Sequence, residues 1–106
     1  MDEAADALRG EVQTISYQDL LKIKDKVQLV DVRTPSEYQS GHIEGSILLP
    51  VDDIRNNLGK LDATKETVVY CKVGMRGYIA TRILMQCGFT NVKNMLGGYL
   101  SVTSNV

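Results

Sequence analysis

Short apolar runs alternate with amphipathic stretches along most of the chain. The apolar runs predict five strands, at 12–15, 27–32, 46–50, 66–71 and 91–95. Helices are predicted after Ser16, after Thr34, over 51–61, over 77–88 and at the end of 96–102. The run 27–32 is apolar on both alternating faces, as expected for a parallel strand covered by helices. This alternation predicts an α/β domain with a mostly parallel sheet.

Two helix starts carry capping signals. Ser16 is a suitable N-cap, with Asp19 at the third helical position in an arrangement similar to a capping box. Thr34 is followed by Pro35 at the first helical position and by Glu37 at the third. Both helices are therefore expected to begin at these residues.

The two longer helices are expected to end at glycine. The segment 51–61 is predicted to be one helix, capped near Asp52 and closed by Gly59, and the helix 77–88 has Gly88 as its C-cap. The buried stripe of the second helix is predicted to consist of Ile79, Ala80, Ile83, Leu84 and Cys87. Cys87 is accordingly interpreted as a core residue rather than a resolving thiol.

Composition and charge mainly exclude classes of function. The 106 residues fit one domain at 12–106, preceded by a lead-in or linker at 1–11 that is acidic and lacks the apolar core of a secretory signal. There is no uncharged apolar stretch of about 18 residues that could span a membrane. With a net charge of −1 and no polybasic run, neither nucleic acid nor an anionic membrane surface is expected as a partner.

The cysteine and histidine content argues against structural metal and disulfides. The chain has two cysteines, one histidine and no CxxC pair, so neither a disulfide scaffold nor a zinc site is expected. We expect no metal in this domain. A reducing cytoplasm, in which a free thiol persists, is the expected location.

The candidate chemistry lies in the segment "VVYCKVGMRGYIATRIL" (68–84), where Cys71 stands at the junction between a strand and a helix. Active sites of open α/β sheets gather at the carboxyl ends of strands. A thiol attacks as its thiolate, and an ordinary cysteine with a pKa of about 8.5 is only slightly ionised at neutral pH. Lys72 and Arg76, the following helix N-terminus and a tight turn at Gly74 would all favour the thiolate.

The same groups would stabilise an anion attached to the cysteine. A persulfide carries its negative charge on the terminal sulfur, where backbone N–H groups and Arg76 could contact it. The residues therefore predict a two-step exchange in which Cys71 takes a sulfane sulfur from a donor and a nucleophilic acceptor removes it.

Five motifs in order make the chain resemble a rhodanese domain from near Val12 to near Val102. These motifs are "LVDVR" (29–33), "EY" (37–38), "GHIEGSILLP" (41–50), "VVYCKVGMRG" (68–77) and "GGY" (97–99). The resemblance implies a rhodanese fold around a central five-stranded, mostly parallel sheet, and sulfurtransferase activity. It implies that Cys71 is the catalytic sulfur carrier. The substrate-binding loop would comprise Lys72, Val73, Gly74, Met75, Arg76 and Gly77.

Some details resemble one subgroup more closely. The segment "CKVGMRGYIATRIL" and the motif "GGY" are similar to rhodanese domains fused C-terminally to coenzyme A disulfide reductases and NAD(P)H-dependent persulfide reductases, whereas many single rhodanese domains have Ser in place of Gly77 and Trp in place of Tyr99. The resemblance implies an N-terminal flavoprotein reductase domain as a partner. FAD, NAD(P)H or coenzyme A would then bind to that domain, because this chain lacks GxGxxG and is expected to hold no cofactor. Its other expected partners are a small sulfur donor and a thiol acceptor.

Four further polar residues are predicted to support the site. Asp31 and Arg33 are expected to form an ion-pair network, with Glu37 as a candidate partner of Arg33. His42 is interpreted as a structural hydrogen-bonding residue near a turn rather than as a general base. Tyr99 could line the mouth of the pocket or only pack.

Two rival functions stay open from the sequence. One is a phosphatase or arsenate reductase, but four residues separate Cys71 from Arg76 here, whereas those related enzymes have five and thus a wider loop. The other is a non-catalytic interaction module that keeps the fold. The retained cysteine and both cations favour the enzyme over this module.

Overall fold

The computed structural model describes residues 12–103. The strands are β1 (Gln13–Ile15), β2 (Gln28–Asp31), β3 (Ile47–Leu48), β4 (Thr67–Tyr70) and β5 (Val92–Met95). The α-helices are α1 (Tyr17–Ile23), α2 (Pro35–Ser40), α3 (Met75–Gln86) and α4 (Gly98–Thr103). Three 3-10 helices lie at Lys24–Lys26, Val51–Asn56 and Leu58–Lys60. The lead-in predicted at 1–11 lies outside the described residues.

The five strands form one sheet in the order β1-β5-β4-β2-β3, and every pair in it is parallel. The predicted α/β fold with a five-stranded sheet is confirmed, and the sheet is entirely rather than mostly parallel. β4 lies at the centre, so its carboxyl end is flanked by the carboxyl ends of β2 and β5. This edge of the sheet is where the "VDVR", "YCKVGMR" and "GGY" segments come together.

Alternating side chains of the central strands build a core on each face of the sheet. Val30 and Val69 belong to the apolar cluster that α3 covers, whereas Leu29 and Val68 belong to the opposite cluster, which includes Leu20 of α1. All four residues of β4 are buried. Burial on both sides explains why these strands read as continuous apolar runs.

Both predicted helix starts are confirmed. The Ser16 hydroxyl accepts a hydrogen bond from the Asp19 N–H at 3.0 Å. At α2 the Thr34 hydroxyl accepts from the Glu37 N–H at 3.2 Å, and the Glu37 carboxylate accepts from the Thr34 N–H at 3.0 Å. This reciprocal pair, with Pro35 at the first position, fixes α2 beside the end of β2.

The prediction of a single helix over 51–61 is wrong. The segment instead forms two short 3-10 helices that meet at Asn57, whose φ of −127° and ψ of 20° leave the helical region. Pro50 precedes the first of them, and no side chain provides a hydrogen-bonded N-cap. Without a cap at either start, this segment lacks the local support that defines α1 and α2.

The buried face of α3 also differs from the prediction. The helix begins at Met75 rather than Gly77, and the side of it that is buried consists of Gly77, Ala80, Thr81 and Leu84. Ile79 is 47% exposed, and Cys87, just beyond the last helical residue, is exposed as well. Ala80 and Leu84 of the predicted stripe are buried as expected, but Gly77 and Thr81 complete the buried side, and Gly77 lets the helix lie close to β5. The core assignment of Cys87 is therefore wrong.

Among residues 12–103, no helix is long and apolar enough to cross a lipid bilayer.

Candidate active site

Cys71 directly follows β4 at the carboxyl edge of the sheet, and α3 begins four residues later at Met75. The strand before it is held on both sides, since the Val32 N–H donates to the Tyr70 carbonyl at 3.0 Å and β5 pairs with β4 on the other side. The sheet thus fixes the backbone from which the thiol projects. The short connection to α3 forms the loop that surrounds it.

The sulfur of Cys71 accepts a hydrogen bond from the backbone N–H of Gly74, with 3.0 Å between Sγ and N. Gly74 has a φ of +122°, in the left-handed region that disfavours other residues. Cys71 is only 1% exposed and belongs to the apolar cluster that also contains Val32 and Ile54. The thiol therefore lies beneath the loop, between apolar side chains and an inward-facing N–H.

The loop directs its longer side chains outward. Val73 is 56% and Met75 69% exposed, and Lys72 is exposed too. Gly77, in the first turn of α3, is buried. The backbone of the loop, rather than these side chains, consequently forms the inner wall around the sulfur.

Arg76 makes a bidentate ion pair with Glu37 of α2, at 2.8 and 3.0 Å. Hydrogen bonds from Arg76, together with those from Thr34, lower the pKa of Glu37 to about 2 despite its partial burial. The hydrogen bonds and charge of Glu37 in turn raise the pKa of Arg76. The expected pairing of Glu37 with Arg33 is wrong, because the Glu37 carboxylate pairs with Arg76 instead.

Arg33 instead pairs with Asp31 within the same strand end, as predicted. Its Nη2 donates to Asp31 Oδ2 at 2.7 Å and to the Gly41 carbonyl at 2.7 Å. Burial opposes the charge of Arg33, but the hydrogen bonds and charge of Asp31 outweigh it and raise the pKa of Arg33. The guanidinium also lies 4.4 Å from the centre of the Tyr99 ring, so Tyr99 packs onto this network.

The segment "SGHIEGS" is held by aromatic residues. His42 stacks on the Tyr38 ring at a centroid distance of 3.7 Å, and its Nδ1 lies 2.8 Å from the Tyr38 carbonyl oxygen. The Tyr70 hydroxyl accepts from the Ile43 N–H at 3.1 Å and hydrogen-bonds with Ser46. Burial raises the pKa of Tyr70, which stays protonated. His42 thus has the contacts of a structural residue.

Comparison with known protein families identifies the family of this chain. The model of the rhodanese-like domain family matches residues 16–105. The chain belongs to this family.

Relatives of this rhodanese-like domain include both single-domain and much longer proteins. A sulfurtransferase of Allochromatium vinosum is 34% identical over 87% of this chain and 86% of its own length. The structure of Bacillus anthracis CoADR-RHD has a TM-score of 0.82 at 36% identity, and this chain is covered over 97%. A NAD-dependent persulfide reductase from A. fulgidus has a TM-score of 0.75 at 30% identity over 94% of this chain. The chain spans only 19% and 17% of those two proteins.

The residue Gly98 of this rhodanese-like domain was not singled out by sequence reasoning. A Cβ at Gly98 would collide with the Cys71 carbonyl oxygen and would lie 2.6 Å from the Lys72 carbonyl. The N–H of Tyr99 donates to the Cys71 carbonyl at 2.7 Å. The motif "GGY" was the available signal, because adjacent glycines indicate a close backbone approach.

Asn94 is the second residue that sequence reasoning missed. It lies on β5, is 7% exposed, and donates from Nδ2 to the carbonyl of Gly74 at 3.1 Å. The signal that the sequence offered for it was a polar, uncharged residue inside the predicted strand segment "VKNM".

A cavity of about 630 Å³ lies beside the site, between α3 and the 3-10 helix Val51–Asn56. Its walls include Val32 and Arg33 at the end of β2, and Arg76 and Ile79 on α3. The cavity thus adjoins the residues that surround the loop.

Proposed function

We propose that this rhodanese-like domain is a sulfurtransferase that carries sulfane sulfur as a persulfide on Cys71. The donor is thiosulfate or a low-molecular-weight persulfide, and the acceptor is a thiol or another nucleophile. The observation that carries this proposal is the Gly74 N–H directed at Cys71 Sγ, at 3.0 Å, at the carboxyl end of the central strand. The family membership and the relative named a sulfurtransferase support it.

With thiosulfate the reaction has two balanced steps. The Cys71 thiolate attacks the sulfane sulfur, the sulfur–sulfur bond of thiosulfate breaks, and sulfite leaves with the bonding electron pair. An acceptor thiolate then attacks the outer sulfur of the Cys71 persulfide, forms its own persulfide and regenerates the Cys71 thiolate. Each half-reaction can run without the other substrate, so ping-pong kinetics are expected.

Backbone N–H groups stabilise both anionic forms of Cys71. Besides Gly74, the N–H groups of Met75, Arg76 and Gly77 belong to the first turn of α3 and have no partner within the helix. Together with the positive end of the helix dipole they attract a thiolate or a terminal persulfide sulfur. Arg76 adds charge, and its bidentate bond to Glu37 holds the start of α3 against α2.

An attached reductase domain is the proposed physiological acceptor. The two much longer solved relatives, CoADR-RHD and the NAD-dependent persulfide reductase, support this arrangement. FAD, NAD(P)H or coenzyme A would bind to that domain, and Cys71 would pass its outer sulfur to a thiol there.

Intact-mass spectrometry after incubation with thiosulfate tests the proposal. The protein is expected to gain about 32 Da, the mass of one sulfur atom bound as a persulfide. Cys71→Ala should abolish the gain, whereas the matched variant Cys87→Ala, which removes the exposed thiol, should keep it. A gain that follows Cys87 would contradict the assignment.

A non-catalytic interaction module is the second candidate, and the burial of Cys71 favours it, because a thiol that is 1% exposed is not directly accessible. Such a module should show no mass gain with thiosulfate or with glutathione persulfide at any concentration. A gain from either donor identifies the enzyme.

A further inference from the structure

Asn94 connects β5 to the loop around Cys71. The residue is 7% exposed, and its Nδ2 donates to the carbonyl oxygen of Gly74 at 3.1 Å. Its Oδ1 is buried and has no hydrogen-bond partner within residues 12–103. That oxygen occupies the space in which Gly77 would carry a side chain, since a Cβ built there collides with it.

The two ends of this amide differ in their hydrogen bonding. A buried acceptor without a partner carries a desolvation cost that an apolar side chain of similar size would avoid. The benefit of an asparagine at this position must therefore lie at the Nδ2 end, where it meets Gly74. Gly77 makes the arrangement possible, because only glycine leaves room for the amide against α3.

Gly74 connects this amide to the sulfur. Its carbonyl accepts from the Tyr78 N–H at 2.9 Å as well as from Asn94, while its own N–H donates to Cys71 Sγ at 3.0 Å. Only two dihedral angles separate that N–H from that carbonyl, and the φ of +122° is an unfavourable one for most residues. A donor that holds the carbonyl consequently restrains the direction of the N–H.

We propose that Asn94 is a positioning residue for sulfur transfer: by holding the Gly74 carbonyl, it keeps the Gly74 N–H directed at the sulfur of Cys71. It touches neither sulfur nor substrate in this role. The proposal rests on the proposed function of Cys71 as the sulfur carrier, but its first test measures thiol ionisation and needs no sulfur transfer.

The test compares variants in a Cys87→Ala background, so that Cys71 is the only thiol. The ultraviolet absorbance of the thiolate is measured as a function of pH, with Cys71→Ala as the blank, so that no reagent has to reach the buried sulfur. Asn94→Ala is expected to move the pH midpoint of thiolate formation upward by about 0.5 to 1 unit, the scale of one lost hydrogen bond to a thiolate. The matched control is Asn57→Ala, which removes an equivalent bond from an asparagine Nδ2 to the Asp53 carbonyl, 2.9 Å long, in a separate 3-10 helix. Its midpoint should equal that of the background protein.

The outcomes separate this proposal from the function on which it rests. An unchanged midpoint in a folded Asn94→Ala protein overturns the positioning role even if sulfur transfer is observed. A shifted midpoint in a protein that accepts no sulfur shows that Asn94 directs the Gly74 N–H at Cys71, and it rejects the proposed sulfurtransferase function. In an active enzyme, Asn94→Ala is also expected to lower kcat about three- to tenfold. The reason is that the Gly74 N–H would stabilise the Cys71 persulfide as well as the thiolate.

A measurement on the wild-type protein covers the case in which Asn94→Ala does not fold. In ¹⁵N NMR spectra, the side-chain amide signals of Asn94 are expected to shift with the same pH midpoint as the backbone amide of Gly74. Asn94 signals that stay constant while Cys71 ionises would overturn the proposal.

Discussion

At the scale of single residues, the contact that matters most is one backbone N–H. Gly74 supplies it from a φ of +122°, which a residue with a side chain adopts only with strain. Space is not the constraint, since a Cβ at Gly74 would meet no atom within 4 Å. The glycine is required for its backbone conformation alone.

Gly74→Ala is therefore expected to rotate the loop rather than to create a clash. Sulfur transfer should fall at least tenfold, while the free energy of unfolding should fall by only about 1 kcal/mol. The matched control is Gly59→Ala, which also has free space around its Cβ but no positive φ. Transfer rates and urea denaturation of both variants provide the check, and a fully active Gly74→Ala protein would contradict this role of the loop.

At the scale of elements, two helices hold the loop from outside it. The start of α4 presses on the loop backbone at Gly98, and α2 holds Arg76 through Glu37. Neither contact could be predicted from the pattern of apolar residues, because each joins elements that are far apart in the sequence.

Gly98→Ala tests the contact between the start of α4 and the loop. Its Cβ would collide with the Cys71 carbonyl, so α4 or the loop must move, and we expect a loss of about 2 to 4 kcal/mol in the free energy of unfolding. Gly97→Ala is a matched comparison, because the φ of Gly97 is +75° and that of Gly98 is +56°. The Cβ added at Gly97 would meet only the Ser101 side chain, at 3.0 Å. Chemical denaturation should show the smaller loss for Gly97→Ala. Equal losses would mean that backbone conformation, and not contact with the loop, explains the glycine.

Glu37→Gln tests the ion pair between α2 and Arg76. Glutamine can still accept the hydrogen bonds of the capping box from Thr34, so α2 should keep its start, but the charge that pairs with Arg76 is removed. The free energy of unfolding is expected to fall by about 1 kcal/mol, as for a partly exposed ion pair. Thr34→Ala is the converse control, which weakens the cap and keeps the charge. Because salt screens the attraction between Arg76 and Glu37, the loss of unfolding free energy caused by Glu37→Gln should be smaller in high salt.

At the scale of the whole molecule, the same ion pair makes stability depend on pH. The pKa of Glu37 is about 2 in the folded protein, against an ordinary value of 4.5, so the unfolded chain binds the extra proton first. The contribution of Glu37 is complete above about pH 5 and is lost as the pH falls toward 2.

The expected result is that wild type and Glu37→Gln differ in unfolding free energy at pH 6 and converge as the pH approaches 2. Urea denaturation at constant ionic strength across about pH 2 to 6 measures this difference. A constant difference over the whole range would show that Glu37 acts through hydrogen bonding alone.

From the amino-acid sequence one could predict the fold class, the succession of strands along the chain, the starts of α1 and α2, and the position of Cys71 at the end of a strand. These features depend on neighbouring residues, since apolar runs, caps and turn glycines act within a few positions. Prediction from the sequence failed where local signals were weak, as at 51–61, or where small residues formed the contact face, as on α3.

The packing of the elements decided which distant residues hold the loop around the sulfur. Arg76 takes Glu37, 39 positions away, as its partner, and Asn94 reaches Gly74 across 20 positions. Which acid meets which cation, and which strand meets which loop, depends on how the elements pack against one another. Packing of that kind brings together residues that no local pattern relates, and so it could be read only from the folded chain.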